Sequence, residues 1–130
     1  MDIITKPEVE ISPDILKKLL EQVQEEGQVI VHCVSAAAAN YDHYIRVWPT
    51  TYLLDQHSAH RSDLVHVENV TMAPMWQLVP AGTVAHYSLI FSGLPKSCIL
   101  FDLEEIIPLP GRFSAKHIVR NDSDVYFVRL

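Results

Sequence analysis

The stretch Thr83–Glu105, TVAHYSLIFSGLPKSCILFDLEE, constrains the fold more than any other part of the chain. Its first half alternates: Ala85, Tyr87, Leu89 and Phe91 form one set, and Val84, His86, Ser88 and Ile90 the other. Gly93-Leu94-Pro95-Lys96 interrupts the run. A second apolar segment follows, in which Ile99, Phe101 and Leu103 share a face, and it ends in acid. A period of two marks a half-buried strand, and Gly/Pro punctuation marks a tight connection. The stretch therefore predicts two central strands joined by a corner, with the Tyr87–Phe91 set facing the core.

Before it, Ser12-Pro13-Asp14 is a helix start: a capping hydroxyl, a proline at the first helical position and a carboxylate near the positive end of the dipole. Ile15, Leu16, Leu19, Leu20 and Val23 then fall on one stripe at helical spacing, and Gly27 stops the run. An amphipathic helix is expected over about 12–26. Its apolar stripe needs a partner, either the same domain or a second copy of the chain.

From Gln28 the period changes. Gln28–Ser35 is β-branched and apolar, as in a buried strand, and Ala36–Asn40 reads as a loop. Asp42–Asp55 alternates, with Ile45 and Val47 on one face and Tyr44, Arg46 and Trp48 on the other. Pro49 cannot donate to a ladder, so the strand bends there before Thr51–Asp55 resumes it. Gln56–Ser62 reads as a hairpin loop, Asp63–Thr71 as a strand, Met72–Pro80 as a long covering loop and Pro80-Ala81-Gly82 as a turn. Glu104–Gly111 is expected to be loop. Phe113–Arg120 and Ser123–Leu130 close the chain around an Asn121-Asp122 turn.

About seven short strands with turn signals at ten-residue intervals predict a mainly β fold, a β-sandwich over about 28–130. With 130 residues, 48% of them hydrophobic and 20% charged, the chain fits one domain, and no linker or repeat divides it. Such a domain hides about two-thirds of its unfolded surface. The net charge of −6 disfavours nucleic acid and anionic membrane, which call for clustered Lys and Arg. The start MDIITKPEVE lacks a basic, then apolar, leader, and no run is long enough to span a bilayer, so a cytoplasmic location is expected. Cys33 and Cys98 lie in apolar runs, as expected of reduced core thiols.

Four segments carry a resemblance: Ile45–Leu53 (IRVWPTTYL), Leu64–Val70 (LVHVENV), Tyr87–Phe91 with Leu94-Pro95, and Phe101–Glu105 (FDLEE). Over about Tyr41–Glu105 the chain resembles the small immunoglobulin-like β-sandwich domains common in Bacteroidota-type bacteria. The resemblance implies that fold and no particular activity. Many such domains are exported, whereas this chain opens with a helix pattern.

Candidate chemistry is sparse. Seven histidines are the compositional oddity. Asp55, His57 and His60 are the right ligand types for a divalent metal such as zinc or iron, at a polar hairpin tip. Otherwise no cofactor is expected. His66 and His86 sit mid-strand and would form a pH-sensitive pair if they met across strands. Adjacent strand residues point to opposite faces, so His32 cannot serve Cys33 as a base. Asp102, Glu104 and Glu105 read as a solvated strand end, because paired-carboxylate chemistry needs two groups held across a cleft. Tyr44, Arg46, Trp48 and Trp76 combine aromatic rings with a guanidinium, the side-chain types that anchor a partner, sugar or peptide. No phosphate loop, dinucleotide fingerprint, zinc-protease motif or nucleophile elbow is present. The expected role is a non-catalytic protein-interaction or assembly module, a homodimer included. The alternatives are a metal-binding protein using Asp55, His57 and His60, and a small-ligand binder using the aromatic face.

Overall fold

The computed structural model describes residues 27–36 and 39–130. The helix expected over 12–26 lies outside them, as does part of the expected Ala36–Asn40 loop. Among the described residues all regular structure is strand: β1 (Gln28–Ala36), β2 (His43–Ile45), β3 (Thr51–Asp55), β4 (Arg61–Glu68), β5 (Gln77–Val79), β6 (Val84–Ser92), β7 (Leu100–Glu105), β8 (Ser114–Val119) and β9 (Val125–Arg129). The protein is mainly β. The nine strands exceed the expected seven because β2 and β3 part at Pro49 and because β5 arises inside the segment expected to be a covering loop.

Seven strands form one sheet in the order β8-β7-β3-β4-β6-β1-β9, and β2 pairs with β5 in a separate ribbon. All neighbours in the large sheet are antiparallel except β1 and β9. β8 and β9 stand at opposite ends of this order, yet only residues 120–124 join them in the chain. The sheet must therefore curl until its edges approach, and it is nearly closed. Right-handed strand twist drives such curling, and bulges sharpen it. One irregularity falls in β4 between Leu64 and His66, another in β7 between Phe101 and Leu103.

The junction is held by specific contacts. Ile30 N–H donates to Asp124 O at 2.9 Å and Arg120 N–H to Ile99 O at 2.9 Å, one bond to each side of the gap. Arg120 also donates to Pro95 O at 2.7 Å and to the Asp124 carboxylate at 2.9 Å. Phe101 of β7 meets Tyr126 of β9 edge to face, with ring centroids 5.0 Å apart.

The core is the inner lining of the curled sheet. β6 places Tyr87, Leu89 and Phe91 inward, as its alternation predicts, with Val29 and Val31 beside them on β1. β7 adds Phe101 and Leu103, both fully buried, and β3 adds Leu53. β6 and β7 do not pair with each other, for β3 and β4 stand between them. Ile99, expected to share the inward face of Phe101, is 64% exposed: it precedes β7, and the turn there sends Cys98 inward instead. Both cysteines are free and buried, and burial pushes the Cys33 thiol up to about 12. A thiol so placed is an inert core group.

The small ribbon hangs beside this body. β2 and β5 pair through Tyr44 and Leu78, and a parallel bridge joins Val47 to Met72. Pro80-Ala81-Gly82 turns the chain from β5 into β6. Thr83 N–H donates to Pro80 O at 3.1 Å, and Gly82 takes φ +72°, which the third position of such a turn requires. Among the described residues no helix is long and apolar enough to cross a membrane.

Candidate functional site

The ribbon, the large sheet and the segment between β7 and β8 border a half-open hollow of about 290 Å³. Tyr44, Arg46, Trp48 and Trp76, the four residues singled out for an aromatic surface, all line it. They converge for simple reasons. Tyr44, Arg46 and Trp48 alternate along one face of the segment leading through β2, while Val47, on the opposite face, is 1% exposed and anchors that segment in the core. Trp76 comes from the approach to β5, which pairing with β2 brings alongside.

Arg46 is the centre of the arrangement. Its guanidinium carbon lies 3.9 Å from the Trp76 ring centroid and 5.1 Å from that of Trp48. Arg46 Nη1–H donates to Pro74 O at 3.1 Å. Its Nε is buried with no hydrogen-bond partner among the described residues, so ring stacking rather than hydrogen bonding holds most of the group. Trp76 and Tyr44, 56% and 60% exposed, also line a neighbouring cavity of about 450 Å³ with Asp42 and His43. Arg46 and Trp48 line a third of about 360 Å³ with Pro49 and Pro74. The first hollow shares Tyr44 and Trp76 with the second and Arg46 and Trp48 with the third, and this surface is the cleft referred to below.

The inner end of the cleft holds a residue whose position the sequence concealed. Glu105 is only 4% exposed and lines the first cavity. β7 alternates Phe101, Leu103, Glu105 inward and Asp102, Glu104 outward, so Glu105 occupies the last core position of the strand. The reading of all three carboxylates as a solvated strand end is corrected for Glu105. The available signal was the unbroken period of two, and the acidic neighbours masked it. Asp102 and Glu104 do face outward, where Lys116 pairs with both. Trp48 N–H donates to Glu105 Oε2 at 3.3 Å. Burial nevertheless raises the Glu105 carboxyl above its ordinary value, against the opposing pull of the Trp48 and Phe113 backbone amides and of Arg46. Tyr87, also in the lining, has its hydroxyl pushed up by burial and by Cys33 and Glu105.

Asp55, His57 and His60 lie at the β3–β4 hairpin. Asp55 points inward at the end of β3, and its carboxylate accepts from His57 N–H at 3.0 Å and from the Ser58 hydroxyl at 2.7 Å. His60 Nε2 turns instead toward Ser62 Oγ at 2.9 Å and Gly93 O at 3.2 Å. Asp55 thus caps the turn and His60 ties it to the β6–β7 corner. Among the described residues no group of three or more His, Cys, Asp or Glu side chains is arranged to hold a metal ion. Burial raises the Asp55 carboxyl, but hydrogen bonds from His57, Ser58 and Cys98 outweigh it and leave a net lowering.

His66 and His86 do not meet. His66 stands opposite Ile90 and His86 opposite Val34, so they are separated along β6, and both are exposed. His32 Nδ1 lies 2.7 Å from Ser88 Oγ on the outer face, away from Cys33. One further polar group, unforeseen in the sequence, joins Gln56 to Asp102 at 2.7 Å and to His117 Nδ1 at 2.8 Å, beside the β7 irregularity.

The cleft thus offers aromatic walls, one stacked cation and one buried acceptor. Glu105 is the one carboxylate in the lining of the hollow of about 290 Å³ among the described residues, beside the Ser35 and Tyr87 hydroxyls, and Asp42 and His43 line the neighbouring one. Comparison with protein-family models, with curated proteins and with solved structures finds no match to this chain.

Proposed function

We propose that this chain is a non-catalytic binding module whose recognition surface is the cleft of Tyr44, Arg46, Trp48 and Trp76. One observation carries the reading: exposed aromatic rings and a stacked arginine from separate segments converge on a cavity that ends in a buried carboxylate. Aromatic and Arg side chains anchor interfaces because they bring large contact area and directional polar groups at low entropic cost. An immunoglobulin-like sandwich is the matching fold reading, supported by the mainly β architecture and the resemblance over Tyr41–Glu105.

The test is a fragment screen followed by amide and indole N–H resonances of the labelled protein. The proposal expects perturbations to cluster on Trp48, Trp76 and β2, and to vanish in Trp76→Ala. Hits scattered over the sheet, or clustered at the β3–β4 hairpin, would sink it.

A further inference from the structure

We infer that the cleft binds a neutral sugar ring, with the apolar face of the ring against Trp76 and Tyr44 and its hydroxyls directed inward to Arg46 and Glu105. This inference rests on the binding-module reading and assigns it a ligand class.

The charges select the class. Aromatic walls above a carboxylate would suit an organic cation, but Arg46 already fills that place, its guanidinium over the Trp76 and Trp48 rings. A second cation would meet the first at close range in a poorly screened site. An anion would meet Glu105, a carboxylate already 4% exposed. A neutral ligand avoids both penalties. It must also donate to a carboxylate and accept from a guanidinium, whose Nη2 takes no partner among the described residues. Neighbouring hydroxyls on a ring do both at once.

The shape agrees. Trp76 and Tyr44 present large exposed faces on the rim, where a rigid ring with axial C–H groups can lie flat. The inner cavity of about 290 Å³ is at the lower end of the size range for small-ligand sites and has room for one ring. An extended peptide fits less well. Strand addition needs a run of unpaired backbone groups, and β2 and β5 are three residues each, with Pro74 and Pro80 flanking β5. The polar groups are directed into a hollow rather than along an edge.

The experiment titrates the full chain with methyl glycosides of glucose, galactose, mannose and N-acetylglucosamine. Tetramethylammonium, acetate and a capped dipeptide amide serve as comparison probes, all followed by the Trp48 and Trp76 indole N–H resonances. The expected result is saturable binding of at least one glycoside with a dissociation constant on the order of 1 mM, typical of so small a ligand. Trp76→Ala and Glu105→Gln should each weaken it by about tenfold or more, as loss of a stacking face or of a charge-assisted hydrogen bond does. Trp76 is exposed, and Gln is a near-isostere of Glu, so both variants keep the fold; dispersion of their amide spectra checks this. Binding of the peptide or a charged probe without any glycoside overturns the sugar assignment and leaves the binding module standing. Glycoside binding indifferent to both substitutions also overturns it. If no probe binds, both readings fall.

Discussion

At the scale of the residue, two carboxylates at opposite ends of the core respond to pH with opposite sign. Glu105 is raised, because burial disfavours its charged form. Its folded state holds a proton more tightly than the unfolded chain does. The contribution is therefore full below the unfolded value and lost as pH rises through the folded one. Glu105→Gln keeps an acceptor for Trp48 N–H and removes the buried charge. It should raise the melting temperature at pH 7 by roughly 2–4 °C, a change of about 1 kcal/mol. The gain should disappear in acid, and a lower melting temperature at pH 7 would refute the account. Asp55 is net lowered, because its hydrogen bonds outweigh burial. Its contribution is present above the unfolded value and lost as pH falls through the folded one. Asp55→Asn, which loses the charge accepting from Ser58, should cost about 1 kcal/mol at pH 7 in urea melts. That cost should fade in strong acid, and a cost independent of pH would show that packing rather than charge is at stake.

Among the elements, the connection from β8 to β9 bears more than its length suggests. Arg120 ties it to the carbonyls of Pro95 and Cys98 and to Asp124, while Tyr126 hydroxyl donates to Asp124 at 2.9 Å. One planar guanidinium satisfies acceptors in several directions, which an ammonium cannot do. Arg120→Met should lower stability by about 2–3 kcal/mol, the usual worth of hydrogen bonds to a charged group. Arg120→Lys should recover only a minor part. The midpoint of urea unfolding measures both, with an unchanged slope expected; full recovery by Lys would mean that charge alone matters. The hairpin from β3 to β4 is a second such device, with Asp55 and His60 fixing the turn. There Asp55 accepts from His57 N–H and the Ser58 hydroxyl, and His60 Nε2 reaches Ser62 Oγ and Gly93 O.

For the whole molecule, closure decides what is core. Phe101 and Phe127 both sit in strands with alternating neighbours, yet Phe101 is fully buried against Tyr126 and Phe127 is 80% exposed. Phe101→Ala removes contacts across the junction and should cost about 3–5 kcal/mol. Phe127→Ser should stay within about 0.5 kcal/mol, as surface changes do. Chemical denaturation of the two variants decides the point: comparable losses would mean that the sheet buries its outer face too.

Local patterning was sufficient for much of this protein. The alternation of Tyr87, Leu89 and Phe91 set the inward face of β6, Pro49 set the break between β2 and β3, and Tyr44, Arg46 and Trp48 announced a common face. These features depend on neighbours one to four residues away, and a period of two or a missing N–H acts at that range. Three things had to wait for the tertiary structure. β5 has three residues and becomes a strand only because β2 lies beside it. Arg46 finds its second indole thirty positions later, at Trp76. Glu105, last of the inward set of β7, reads as a solvated terminus until pairing with β3 and the packing around Trp48 and Phe113 bury the carboxylate. Burial, pairing order and convergence are long-range properties of a curled sheet, and no window of sequence contains the strands that supply them.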